Sequence, residues 1–357
     1  MIQETPKMNK NILLVFTGGT IGSQLAGGTV DTSASAGFKL LALFAERGRA
    51  ADSVTFKTVQ PLQILSENLH TRHWQQIVAA IEGEDLSCFD GVIVTHGTDS
   101  LAFSAAALGL YFHKLPMPLL LVSSDLPLDD PRANGVDNFC CAVEFIRLCG
   151  LGGVYVPYRN PGRDMLVHLG TRLCSCLPLG SDFISAQSRP FMRYRGGQFE
   201  MLTAADGWNR QPAELKPDFS ARILLIRPYP GLDYSAFCLD GFDAVLHDLY
   251  HSGTACASDT AGSEYSLAAF ARKCRQQGLN IYLAPALHSD SAYASTKELM
   301  VAGAEMVWNM TLEAAYAKLL LALGNFADAQ QISEFLRQDL AYEHVQPGLA
   351  VAEAAAV

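Results

Sequence analysis

GVIVTHGTDS, Gly91–Ser100, decides the fold. Its apolar half has no polar alternation, so it reads as a strand buried on both faces. It then breaks into His96, Gly97, Thr98, Asp99 and Ser100, turn residues ahead of a helix. A second run of this form, ILLVFTGGTIGS at Ile12–Ser23, opens into Gly18, Gly19 and Thr20, and a third, Pro118–Val122, delivers Ser123, Ser124 and Asp125. Strands buried on both faces belong to parallel sheets, and open α/β sheets bind ligands at the strands' carboxyl ends, where backbone N–H groups and loop side chains converge. The chain is therefore read as α/β, with Thr20, Thr98, Asp99, Ser124 and Asp125 at three strand ends and Ser66 and Glu67 on a nearby loop.

Outward from these runs the alternation continues. Residues 22–37 are nearly all Gly, Ser, Thr and Ala, the composition of a loop beside a strand end. Val54–Val59 reads as a strand. Trp74, Ile77, Val78 and Ile81 share one helical face, with Thr71 as the expected cap, which sets Ser66–Asn68 just before that helix. Helices are expected over 100–113 and 134–149, the second stopped by Gly150. Short strands follow at 154–156 and 165–169, then a hairpin through Tyr194–Gln198. After a polar stretch with two prolines, the strand–helix alternation restarts near Arg222 and runs to Leu323, followed by an amphipathic helix over 328–340. The expected organisation is a larger N-terminal α/β domain over 1–204, a linker over 205–220, and a smaller parallel-sheet α/β domain over 221–357.

Composition bounds the function. A chain of 357 residues with 49% hydrophobic and 17% charged residues supplies ample core for two domains. No stretch approaches the roughly 18 apolar residues of a membrane span, and the N-terminus carries no export signal, so a cytoplasmic protein is expected. Nine cysteines without CxxC pairs read as reduced thiols, Cys174 and Cys176 being the one close pair of interest. A net charge of −10 with scattered basic residues offers no footprint for nucleic acid or an anionic membrane and favours a small-molecule partner.

Hydroxyls, carboxylates and glycines converging on one cleft suit covalent acyl transfer: a threonine oxygen attacks a carbonyl while N–H groups near Gly19 and Gly97 hold the oxyanion. The bland alternative is that GTD after a strand is a turn and helix cap, that His96 is a structural hydrogen-bonding residue, and that Glu67 is a surface carboxylate. A dinucleotide fingerprint fails because its frame requires glycine where Thr17 stands. No metal is expected, since the histidines lack ligand spacing.

TGGTIGS at Thr17–Ser23, SEN at Ser66–Asn68, VTHGTDS at Val94–Ser100, DLPLDDPRANGVDN at Asp125–Asn138, RPYPGLD at Arg227–Asp233 and the run Tyr293–Gly324 together resemble the bacterial-type L-asparaginase family, nearest its cytoplasmic type I branch. The resemblance implies that two-domain fold, with Thr20 as nucleophile, Thr98 and Asp99 as the second catalytic pair, and Ser66 and Glu67 holding the substrate's carboxylate and amino groups. It also implies hydrolysis of L-asparagine to L-aspartate and ammonia through an acyl-enzyme, no cofactor, and a homodimer or homotetramer. Three positions depart from the family. GTRLCSC at Gly170–Cys176 carries Cys174 or Ser175 where the family has a lysine, and no lysine stands between Lys114 and Lys216. Arg172 stays protonated and is no substitute for a neutral amine. No tyrosine occurs between Thr20 and Gly37, and Asp125 replaces a glutamine. These departures leave two alternatives to asparagine hydrolysis: a non-catalytic amino-acid- or amide-binding homologue, and an amidase for a different amide, such as a cationic one facing Asp125.

Overall fold

The computed structural model describes residues 9–19, 21, 23–26, 29–32, 36–47, 51–203, 211–289 and 293–346. It divides into two compact units between Pro212 and Ala213.

In the first unit, strands β1 (Lys10–Val15), β4 (Val54–Val59), β5 (Gly91–Thr95), β6 (Pro118–Val122) and β7 (Gly153–Arg159) pair in parallel in the order β4-β1-β5-β6-β7. Strands β8 (Met165–Leu169), β9 (Met192–Arg195) and β10 (Gln198–Met201) extend the sheet antiparallel, so it is mixed rather than parallel throughout. The chain leaves β1 toward β4 on one side and resumes at β5 on the other. The switch point, where α/β sheets open a crevice, thus lies at the carboxyl ends of β1 and β5.

Helices α2 (Thr71–Glu82), α3 (Leu101–Tyr111) and α4 (Gly135–Leu148) follow their strands, and Trp74, Ile77, Val78 and Ile81 of α2 are all buried, as the periodicity predicts. The cap of α2 is His70 rather than Thr71: its Nδ1 accepts from Arg72 N–H, and His73 Nδ1 accepts from His70 N–H. Beyond α4, Gly150 takes φ +59, the left-handed stop expected of it. Residues 22–37, expected as a loop, instead contain an antiparallel pair, β2 (Ser23–Ala26) with β3 (Thr29–Thr32), and the start of α1 (Ala36–Glu46). The β-branched Thr29, Val30 and Thr32 carry a strand preference that a reading of small polar composition overlooks.

Helix α3 is buried on every side because small residues let its neighbours approach. A Cβ on Gly109 would meet Thr171 Cγ2 at 2.8 Å, and one on Gly170 would meet the Ala105 carbonyl at 2.8 Å. This close fit seats the turn Gly170–Arg172 against the helix that begins just after Thr98.

The second unit is a four-stranded parallel sheet, β11 (Ile223–Ile226), β12 (Ala244–Asp248), β13 (Asn280–Ala286) and β14 (Glu305–Trp308), in sequence order. Its helices are α5 (Leu267–Gln276), α6 (Ala294–Val301), α7 (Leu312–Asn325) and α8 (Ala329–Arg337). Lys318 of α7 and Glu343 are both fully buried, with Nζ donating to Oε1 at 2.6 Å and to the Leu336 and Gln338 carbonyls. Glu343 also accepts from the Leu340 and Ala341 N–H groups. Burial pushes the Glu343 carboxyl up, but Lys318 and His344 beside it outweigh burial and hold it at about 2. A carboxyl depressed by folding stabilises above its ordinary value of 4.5. That contribution should be lost as pH falls from there toward 2. Lys318→Met strands the carboxylate in the core, and urea unfolding should show a loss of about 3 kcal/mol at neutral pH. A loss under 1 kcal/mol would mean that the pair is not closed in solution.

No helix of the described residues is long and apolar enough to cross a membrane.

Candidate active site

The ends of β1 and β5 are clamped together. Thr17 N–H donates to Thr95 Oγ1 at 3.2 Å, and Thr17 Oγ1 donates to the Thr95 carbonyl. The loop after β4 joins them: Gly18 bridges Ile64, whose N–H donates to the Thr17 carbonyl at 3.0 Å and whose carbonyl accepts from Gly19 N–H at 2.8 Å. Gly19 (φ +76) then crosses Gly97 so closely that a Cβ on Gly19 would lie 2.3 Å from Gly97 N. On its other side, a Cβ on Gly97 would lie 2.4 Å from Ser66 Oγ. Both positions need glycine because two backbones and a serine meet there.

Ser66, buried in its short 3-10 turn, donates its hydroxyl to Asp99 Oδ2 at 2.9 Å and accepts from Asp99 N–H at 3.2 Å. Ser100 Oγ donates to the Ser66 carbonyl at 2.7 Å. The structure thus brings Gly19, Ser66, Gly97 and Asp99 into one cluster, with Thr98 on the same turn. Glu67 is exposed on the outer side of its turn. Thr20 lies outside the described residues.

His96 is buried, with Nδ1 2.7 Å from the Gly97 carbonyl. Burial lowers its pKa against the opposing pull of that carbonyl and of Asp99. The neutral ring donates Nδ1–H and braces the turn.

The third strand end folds inward. Ser124 is fully buried and donates to the Leu126 carbonyl at 2.6 Å, which turns its hydroxyl into its own loop. Asp125 Oδ1 accepts from the N–H groups of Leu126 and Asn134, while Asn134 Oδ1 accepts from Asp125 N–H. Asn134 Nδ2 donates to the Arg159 carbonyl, and Asn138 links the Ser123 carbonyl to Arg159 N–H. Asn134 and Asn138 thereby tie the end of β6 to the end of β7. The cationic-amide expectation meets an Asp125 carboxylate already engaged by two backbone donors.

Thr98, Asp99 and Asp125 face a cavity of about 320 Å³ whose remaining wall is Ser175–Ser181. Ser175 and Cys176 occupy that wall, and Cys174 is not among its lining residues. Burial, then the nearby charges of Asp99 and Asp182, push the Cys176 thiol up, so it stays protonated and is no stand-in for an amine base. Leu179, fully exposed with φ +62, marks the rim. The Pro178–Gly180 turn chemistry signals a loop in the sequence, and the loop is closed at its base by the Cys174 N–H on the Ile184 carbonyl and the Leu177 N–H on the Asp182 carbonyl, each 3.0 Å.

Among the described residues no group of three or more His, Cys, Asp or Glu side chains is placed to hold a metal.

Residues 11–189 match a family model described as "Asparaginase, N-terminal". Relatives match over nearly the whole chain. A glutamyl-tRNA(Gln) amidotransferase subunit from Methanococcus maripaludis is 26% identical, over 96% of this chain and 82% of its own. L-asparaginase of Thermococcus kodakarensis is 25% identical, over 93% of this chain and 98% of its own. Among solved structures, L-asparaginase I from Vibrio cholerae shares the fold with a TM-score of 0.77 at 23% identity, covering 95% of this chain and all of its own. The thermostable L-asparaginase from Thermococcus kodakarensis does so at 0.76 and 24%, covering 94% and 99%.

Proposed function

Because the chain belongs to the asparaginase family, we propose that it is an amidohydrolase that cleaves L-asparagine to L-aspartate and ammonia with Thr20 as nucleophile. Thr20 Oγ attacks the side-chain amide carbon, ammonia leaves as the tetrahedral intermediate collapses to a β-acyl enzyme, and water releases aspartate. Gly19 N–H is committed to the Ile64 carbonyl, so the Gly97–Thr98 turn is the natural backbone source of oxyanion donors. Thr98 and Asp99 handle the proton of the attacking water, and Ser66 with Glu67 holds the amino-acid head. The observation that carries this reading is the pair of hydrogen bonds joining Ser66 to Asp99, which couples the substrate-holding turn to the acid–base pair. We also place the protein in the cytoplasm as a homodimer or homotetramer, which the family resemblance supports.

A second reading, an amino-acid- or amide-binding homologue without turnover, is favoured by one observation: a protonated Cys176 and Ser175 line the wall where an amine base belongs. Ammonia assays on L-asparagine and L-glutamine, run beside calorimetry with L-aspartate and L-asparagine, separate the two. Turnover supports the hydrolase, and heat of binding without ammonia supports the second reading alone. Glutamine is the second substrate to try, since one relative bears the name of a glutamyl-tRNA(Gln) amidotransferase.

If the missing ammonium limits the rate, Ser175→Lys should raise kcat on L-asparagine about tenfold, while Ser175→Gln, similar in bulk but no base, should not. Equal behaviour of the two variants would show that the wall residue is not what limits catalysis.

A further inference from the structure

A second, larger cavity of about 650 Å³ adjoins the first and shares Asp125, Gly180 and Ser181 with it. Its lining includes Arg132, Arg159 and Arg163, against Asp125 as the one carboxylate among the described lining residues. Asp125 Oδ1 is engaged by the N–H groups of Leu126 and Asn134. Two of the arginines are oriented from outside the cavity. Asp130 grips Arg132 through Nε at 2.9 Å and Nη2 at 2.6 Å, and Asp137 grips Arg159 Nη2 at 2.5 Å. Arg132 and Arg159 remain 78% and 41% exposed, so their outer ion pairs are screened by water and each guanidinium keeps further N–H donors. In a chain of net charge −10, three cations on one cavity wall are a local feature of that wall.

The buried Tyr158 hydroxyl lies within hydrogen-bonding reach of the Asn134 and Ser181 side chains, both of which line the larger cavity. Burial first, then Asp125 and Cys176, keeps the phenol protonated.

We infer that the two cavities form one extended site, and that the preferred substrate is an amide whose body carries an added anionic group, carboxylate or phosphate, seated against Arg132, Arg159 and Arg163 while its amide end faces Thr98 and Asp99. Arginine suits both anions because its planar fork donates two parallel hydrogen bonds to either. This inference rests on the amidohydrolase reading for its chemistry, but the anion site has a separate readout.

The test measures ammonia release from four dipeptides: asparaginyl-alanine, asparaginyl-glutamate, asparaginyl-phosphoserine and asparaginyl-lysine. The expected result is a kcat/KM about tenfold higher for one or both acidic dipeptides than for the alanine one, with the lysine one lowest. Comparing glutamate with phosphoserine tells which anion the wall prefers. Arg132→Gln and Arg163→Gln, made separately in case one fails to fold, should each bring the acidic-to-neutral ratio toward one. A ratio near one in the wild type, or one untouched by both variants, overturns the inference. Calorimetry of the acidic dipeptides on the Thr20→Ala protein keeps the two claims apart. Charge-dependent binding without ammonia from any wild-type assay supports the anion site while sinking the hydrolase, and binding indifferent to charge sinks the anion site.

Discussion

Gly19→Ala should cost the protein about 4 kcal/mol of stability and remove its activity, whereas Gly150→Ala should cost about 1 kcal/mol and leave activity in place. Both glycines have positive φ, +76 and +59, so both substitutions incur the left-handed strain of an L residue, roughly 1–2 kcal/mol. They differ in what the new methyl meets. At Gly150 nothing lies within 4 Å. At Gly19 the Cβ would stand 2.3 Å from Gly97 N and 2.6 Å from Gly97 Cα, and backbone atoms cannot rotate aside as a side chain does. The crossing would have to open, adding an overpacking cost of about 1–3 kcal/mol, and would separate the β1 end from the turn that carries Thr98 and Asp99. Urea unfolding of the two variants, with equal m-values, measures the difference. Equal losses would mean that the β1 and β5 ends do not approach as described.

That crossing also shows where reading the sequence succeeds and where it stops. The apolar runs before Thr17 and Thr95 specify buried parallel strands because burial on both faces leaves no room for polar alternation, and the structure has them as β1 and β5. Pairing TGG with THGTD as neighbours follows from the strand-end rule. What stays hidden is the set of contacts between segments distant in sequence. Ser66 reads as a substrate ligand on resemblance alone, but its two hydrogen bonds to Asp99 span 33 residues and have no local signature. Ser124 looks like a site residue because it ends a strand, yet its hydroxyl closes its own loop on the Leu126 carbonyl, whereas Asp125 lines the cavity while its Oδ1 holds two backbone N–H groups. The His70 cap is missed for a simpler reason: the Nδ1 acceptor of a histidine imitates an aspartate oxygen only when the ring is turned toward the helix, and the sequence does not show the rotamer. The seat of the Gly170–Arg172 turn on α3 depends on Gly109 and Gly170 permitting close approach of two segments, a property of both together.

The Thr20→Ala variant carries the second large effect. Removing a nucleophile leaves binding groups and oxyanion donors in place, so the variant should still fold and bind L-asparagine while losing about 10³-fold or more in turnover. In the proposed reaction the Thr20 oxygen is the one protein atom that bonds to the substrate, and Thr98 and Asp99, proposed to move protons, would on removal slow the reaction without eliminating the acyl intermediate. A threonine hydroxyl ionises far above neutral pH, so the proposed pathway requires a proton acceptor. In this chain no lysine stands between Lys114 and Lys216, and the cavity wall that Thr98 and Asp99 share has a serine and a protonated thiol. Hydrolysis of L-asparagine is therefore expected to be slow and still to depend entirely on Thr20. The most direct test is ammonia release from L-asparagine by the wild type and by Thr20→Ala at matched, folded concentrations. Release by the wild type and none above background from the variant is the expected outcome, and equal release by the two proteins would contradict a threonine nucleophile at this site.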